Sequence, residues 1–281
     1  MIGHAWRQRM TDWGIYLTYA IIIVFFLFPI FWVLSLSLRT VPELFATPPI
    51  WFPLNPQFQN YTFLLNHTPI GEYLVHSLII VSATVCVVLL IGVPAAYALS
   101  RFSFRLSRGV LALILVCQMI SPVVIVIPLF QLLATLNLLN SYPTLILVYS
   151  AIALPFSTWF LKGYLDTVPR ELDESAQIDG CNRLQALWRV IVPLALPGIT
   201  SVAILVTVLS WSQFVVPFIL VDDASIYPVT VGLINLNSQS DGITLQYLAA
   251  GSIVAIIPVM LVFAVLQRFI VSGLTNGAVK G

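Results

Sequence analysis

Long apolar runs separated by short polar connectors dominate this chain. Six stretches, roughly 13–38, 74–99, 109–132, 141–161, 194–220 and 245–268, contain no Asp, Glu, Lys or Arg apart from Arg268 at the last boundary. Each matches the ~20 apolar residues that a helix needs to cross the hydrocarbon layer. The expected fold class is therefore all-α integral membrane, with six transmembrane helices. Prolines fall inside most of these runs: Pro29, Pro94, Pro122 with Pro128, Pro155, Pro217 and Pro258. A spanning helix tolerates proline where neighbours satisfy the freed carbonyls, so these helices are expected to pack against protein and to kink. The first run follows Arg7 and Arg9, as in a signal peptide, but it exceeds an h-region of about 7–15 residues and no small-residue cleavage site follows. It reads as an uncleaved span.

Charge sets the orientation. Arg7 and Arg9 precede span one. Arg101, Arg105 and Arg108 lie between spans two and three, and Lys162, Arg170, Arg183 and Arg189 between four and five. Arg268 and Lys280 close the chain, and Arg39 alone falls on the other side. The positive-inside rule places both termini in the cytoplasm. Glu43, Glu72, Asp222, Asp223 and Asp241 are then external. The expected organisation is 1–38 as N-terminus and first span, 39–73 as an external loop, 74–270 as the core with a cytoplasmic loop at 162–193, and 271–281 as a cytoplasmic tail. Asn60-Tyr61-Thr62 and Asn66-His67-Thr68 fit the glycosylation pattern, a short and mostly coincidental one.

Composition agrees. The chain is 59% hydrophobic and 8% charged over 281 residues, against about a quarter charged in soluble domains. A net charge of +1 points to neither nucleic acid nor an acidic partner. Cys86 and Cys117 sit in apolar runs and Cys181 in a polar loop, with no CxxC; this is neither a disulfide framework nor a metal site. No G-x-x-x-x-G-K-[ST] occurs, and neither Lys162 nor Lys280 ends such a loop, so the chain holds no nucleotide by that device. The spans carry none of the mid-membrane ionisable groups used by proton relays, ion sites and voltage sensors. Hydrolase and zincin motifs are absent too. The sequence describes a pathway without an engine, so energy for uphill movement has to arrive through a partner.

The inner loop is where charge concentrates: nine of the 23 charged residues lie between Lys162 and Arg189. Thr167 to Gly180 reads as a short helix. Pro169 suits its first turn, Glu171, Asp173 and Glu174 complement its dipole, and Gly180 stops it. A second helix follows, with Leu184, Leu187, Trp188 and Ile191 at i, i+3, i+4, i+7. Leu172 and Ser175-Ala176 are expected to share one face, small enough at its centre for a partner's backbone to approach. An ordinary solvated amphipathic loop is the competing reading.

Glu174-Ser175-Ala176, Gly180 and Val190-Ile191-Val192-Pro193 match, in spacing, the E-A-A…G…I-x-L-P pattern of permease subunits of binding-protein-dependent ABC importers. The departures, Ser175, Val190 and Val192, are conservative. Phe58-Gln59-Asn60-Tyr61, Ala95 to Phe102, Pro122 through Pro128-Leu129, Leu154-Pro155-Phe156, Trp211-Ser212-Gln213-Phe214 and the tail Gly273 to Gly281 resemble the carbohydrate branch, in particular the smaller maltose-type permease subunit. The resemblance spans nearly the whole chain.

It implies a type I importer permease of the bacterial cytoplasmic (inner) membrane, non-catalytic itself. Its partners would be a second, unlike permease subunit, an ATPase dimer using ATP and Mg, an external solute-binding protein and lipid, with no nucleic acid. The loop helix would slot into a cleft on the ATPase, with Glu174, Ser175, Ala176, Asp179 and Gly180 as the coupling residues. Glu174 either pairs with the ATPase or caps its own helix, and Gly180 is a backbone requirement. The tail at Lys280 and Gly281 would reach between the ATPases.

Sugars call for hydrogen bonds and aromatic stacking. Gln118, Ser121, Ser157, Thr158, Trp159, Ser210, Trp211 and Gln213 supply these, although interhelical hydrogen bonding and packing explain such residues equally well. The expected function is a permease subunit for a sugar or sugar-like solute. The alternatives are a sibling permease for an osmolyte, glycerol phosphate, polyamine or amino acid, or a stand-alone channel or carrier.

Overall fold

The computed structural model describes residues 2–102, 107–239 and 245–278, and side chains are described from Trp13 to Val265, apart from 103–108, 115 and 237–244. The described residues form helices α1 (Ile2–Ser37), α2 (Val41–Leu44), α3 (Gln59–His67), α4 (Ile70–Arg101), α5 (Ser107–Gln118), α6 (Pro122–Thr135), α7 (Tyr142–Leu165), α8 (Glu171–Ile178), α9 (Arg183–Ala186), α10 (Val192–Leu194), α11 (Leu196–Trp211), α12 (Val215–Leu220), α13 (Val229–Gln239) and α14 (Leu245–Ala278). A π-helical stretch, Leu187–Ile191, joins α9 to α10, and a 3₁₀ turn, Ala224–Ile226, follows α12. No strand occurs among the described residues. The chain divides into two compact units, 1–69 with 235–254, and 70–234 with 255–281.

In the first unit the apolar face of α1 is exposed from Trp13 to Ile30. The segment that follows is folded on the end of this helix. Asn60 Nδ2 donates to the carbonyls of Ser37 (2.9 Å) and Arg39 (3.2 Å), Ser37 Oγ shares a 2.7 Å hydrogen bond with Tyr61 Oη, and Ser35 Oγ donates to Trp51 O at 2.7 Å. Asn60 thus satisfies carbonyls that a helix end leaves without partners. Arg39, only 2% exposed, lies 4.8 Å from the Trp32 ring centre and donates to Ser35 Oγ. Thr40 and Glu43 close a capping box on α2.

The second unit is built on α4 packed along α7, with α11 across both. One buried cluster joins Val88, Val93, Ala96, Leu161, Val202 and Val206; the other joins Ile80, Val126, Leu145, Val148, Val216 and Leu220. Two close approaches depend on glycine. A Cβ on Gly198 would lie 2.5 Å from Tyr164 Cγ, and one on Gly232 would run into the Tyr73 ring at Cδ2.

Four expected spans are continuous helices: 13–38 in α1, 74–99 in α4, 141–161 in α7 and 245–268 in α14. The other two are not. The 109–132 run breaks after Gln118, and α5 and α6 meet at 90°. Ser121 stands extended (ψ 130°) before Pro122, because proline's Cδ drives its predecessor out of the helical region. The 194–220 run divides into α11 and α12 at Ser212–Phe214, and α11 turns 80° from Arg183–Leu194 at Ala195. Among the described residues, four helices can cross a membrane by length and composition, or six if each bent pair counts as one span.

Candidate functional site

The 167–193 segment folds into a hydrogen-bonded corner. Acidic Glu171, Asp173 and Glu174 occupy the first turn of α8, where the dipole favours them. The helix starts at Glu171 rather than beside Pro169, with Arg170 already helical at its cap. It ends in a Schellman arrangement: Cys181 N–H donates to Ala176 O (3.0 Å) and Gly180 N–H to Gln177 O (3.1 Å). The arrangement needs a left-handed residue, and Gly180 has φ +86°. Asn182 and Gln185 then form a reciprocal capping box at 2.8 and 2.9 Å, which starts α9 immediately.

The inward half of α8 is fastened to the end of α4. Asp173, 6% exposed, accepts a hydrogen bond from Tyr97 Oη at 2.7 Å, and its Oδ2 lies 2.7 Å from Arg101 Nε. Arg101 Nη2 donates to Val168 O, and Arg170 Nη2 donates to Ser100 O, both at 3.0 Å. Ser100 Oγ donates to Asp166 Oδ1 at 2.7 Å, and Lys162 pairs with Asp166. The Arg183 guanidinium lies 4.6 Å from the Phe102 ring centre. Removing one member of a buried ion pair costs about 3–5 kcal/mol because the other charge is left unpaired.

The outward half of α8 is free. Leu172, Glu174, Ser175, Ile178, Asp179 and Gly180 are exposed, Ile178 at 86%, with Leu184 and Trp188 exposed beyond the corner. Glu174's carboxylate has no partner among the described residues; it does not cap its own helix. Ala176 faces inward with Asp173 and is 5% exposed, so the face expected to join Leu172, Ser175 and Ala176 is split. In the second helix Leu187 and Ile191 are buried while Leu184 and Trp188 are not.

The eight polar and aromatic residues considered for a solute path do not converge. Gln118 is the uncharged polar side chain in an otherwise apolar cavity of about 360 Å³ between α5, α6, α7 and α12, lined also by Cys117, Val126 and Pro155. Ser121 is exposed at the α5–α6 break. Ser157, Thr158 and Ser210 are buried at 1%, 6% and 5%, whereas Trp159 is 45% exposed. Trp211 donates its indole N–H to Ala255 O (3.1 Å) and borders a second cavity of about 290 Å³, while Gln213 O accepts from Thr230. Lys280 and Gly281 lie outside the described residues.

Sequence reasoning missed Tyr97, Ser100 and Arg101 as parts of this site. They stand inside the Ala95–Phe102 segment that carried the family likeness, but nothing in their spacing names a partner more than 60 residues away.

The family described as "Binding-protein-dependent transport system inner membrane component" matches residues 88–276. The chain belongs to that family. It is thus a multi-pass component of an inner-membrane ABC transport system. The sulfoquinovosyl glycerol transport system permease protein SmoH of Agrobacterium fabrum is 35% identical over 262 residues, 93% of this chain and 92% of that protein. The trehalose transport system permease protein SugB of Mycobacterium tuberculosis is 32% identical over 276 residues, 98% and 99% of the two chains. A crystal structure of a bacterial ABC transporter involved in import of the acidic polysaccharide alginate matches with TM-score 0.80 at 22% identity, covering 92% of this permease and 96% of that chain. This last match concerns the fold.

Proposed function

We propose that this permease is one of two unlike membrane subunits of an ATP-driven importer for a sugar or glycoside. Its core, 74–270, forms half of the pore through six spans with both termini cytoplasmic. α8 docks on a separate ATPase that holds the ATP and Mg, and an external binding protein delivers the solute. The observation carrying this reading is the two-sided α8. Its outward face offers Leu172, Ser175, an unpaired Glu174 and a protruding Ile178, while its inward face is tied to α4 through Asp173. Such a helix can receive a push and pass it on. The sugar class rests on relatives named for sulfoquinovosyl glycerol and trehalose. It also suits spans without mid-membrane charge.

Gly180→Val tests the docking reading. A β-branched residue at φ +86° is strained by at least the ~1–2 kcal/mol of a left-handed L-residue, which undoes the Schellman turn and re-aims α8. In the reconstituted complex, stimulation of ATP hydrolysis by the sugar-loaded binding protein should fall several-fold while sugar binding to that protein is unchanged. Wild-type stimulation in this variant would sink the assignment. Screening trehalose, other disaccharides and glycosides for stimulation identifies the solute.

A further inference from the structure

α8 is held in two different ways. Toward the π-helical stretch Leu187–Ile191 it makes packing contacts only; among the described residues no side-chain hydrogen bond or ion pair joins them. Toward α4 it is latched. Tyr97 and Arg101 sit one turn apart at the end of α4 and grip the two oxygens of one buried carboxylate, Asp173, each at 2.7 Å. Ser100 and Arg101 also hold the 166–170 connector from α7, through Asp166, Val168 and Arg170.

Apolar contact is non-directional, so packed surfaces can slide or roll while staying buried. The Tyr97–Asp173 hydrogen bond is charge-assisted, short and directional, and parting the Arg101–Asp173 ion pair strands a carboxylate and a guanidinium out of water. A displaced α8 therefore slips on the π-helical side before it lets go of α4. The π-helical stretch also lies beside the 80° corner at Ala195, and single π turns are rare irregularities found frequently at functional sites.

The geometry points to Tyr97, Arg101 and Asp173 as the force-bearing joint of the permease: α8, α4 and the α7 helix packed along α4 move as one block, and the Leu187–Ala195 segment takes up the change of shape. This rests on α8 being the docking helix. The three side chains are positioning residues; they touch neither solute nor nucleotide.

Paired spin labels in the assembled, membrane-reconstituted complex test it without knowledge of the solute. With Cys86, Cys117 and Cys181 replaced by alanine, one pair is placed by Glu72→Cys and Glu171→Cys, within the block. A second pair, Glu171→Cys and Leu209→Cys, straddles the corner. The expected result between the nucleotide-free and the Mg-ATP–vanadate states is a constant 72–171 distance and a shifted 171–209 distance. Asp173→Asn and Tyr97→Phe should let the 72–171 distance shift and broaden as well. If Asp173→Asn does not assemble, Tyr97→Phe, which removes only a hydroxyl, decides. A 72–171 distance that shifts in the wild type, or stays fixed in Tyr97→Phe, overturns the joint. A static 171–209 distance overturns the yielding Leu187–Ala195 segment, whereas wild-type ATPase stimulation in Gly180→Val overturns the docking reading beneath it.

Discussion

Gly198 offers the sharpest test of the packing. An alanine methyl there would stand 2.5 Å from Tyr164 Cγ and 2.7 and 2.8 Å from its two Cδ atoms. Carbon atoms pack at about 3.5–4.0 Å, so about 1 Å has to be found. Cγ is the root of the ring, and turning the ring about its own axis leaves it in place. Either Tyr164 at the end of α7 or the first turn of α11 has to move. Overpacking of this kind costs about 1–3 kcal/mol, partly offset by the ~1 kcal/mol by which alanine exceeds glycine in a helix. The net expectation is a loss of up to about 2 kcal/mol. Gly92 is the internal control. Its added Cβ meets Thr158 Oγ1 at 3.7 Å and Leu161 at 3.8 Å, ordinary contacts, so Gly92→Ala should be neutral or stabilising by up to ~1 kcal/mol. Thermal unfolding in detergent, compared between the two variants, reads the difference. Tyr164→Leu in the Gly198→Ala background should recover much of the loss, as a double-mutant cycle can measure. A Gly198→Ala protein as stable as Gly92→Ala would refute the argument.

Two further outcomes follow from local geometry. Asn182→Ala removes half of the capping box and should weaken the corner by about 0.5–2 kcal/mol, seen as faster hydrogen exchange at the Gln185 amide. Glu43 has its pKa lowered, first by the backbone N–H of Thr40 and also by that of Leu54. A depressed carboxyl pKa stabilises above the unfolded value, and that stability is lost as pH falls through the folded one. The 40–54 segment should therefore loosen on acidification below the usual carboxylate range, and Glu43→Gln should loosen it at neutral pH, both by hydrogen exchange.

The long apolar runs were legible because length and lack of charge decide them locally. Which proline ends a helix was not. Pro29, Pro94, Pro155 and Pro258 all lie inside continuous helices, whereas Pro122 starts a new one at a right angle. Packing neighbours do not make the difference, since Pro29 lies inside α1 where Trp13 to Ile30 are all exposed; the expectation that every proline-bearing span packs against protein fails there, and one chain's pattern does not mark Pro122 apart from the others. The corner at Gly180 was legible for the opposite reason, since a left-handed turn is a property of a few adjacent residues. Asp173 shows the limit. In sequence it is one of three acids at a helix start; in the fold it is the one turned inward onto Tyr97 and Arg101, 76 and 72 residues back. Ala176 shares that inward face, which leaves Leu172, Ser175 and Ile178 as the outer surface.

Arg39 counted against the charge asymmetry of the loops as the one arginine on the outer side. Its burial under Trp32 removes it from contact with the bathing solution. Glu72, Asp222 and Asp223 are exposed on the same side of the proposed spans, and among the described residues no lysine or arginine is exposed there. In the proposed orientation, the formal charges exposed there among the described residues are all negative. Within a Debye length, about 8 Å at physiological ionic strength, small cations are enriched over this surface and anions are depleted. A charge tally taken from the sequence understates that imbalance by the one residue the fold has withdrawn.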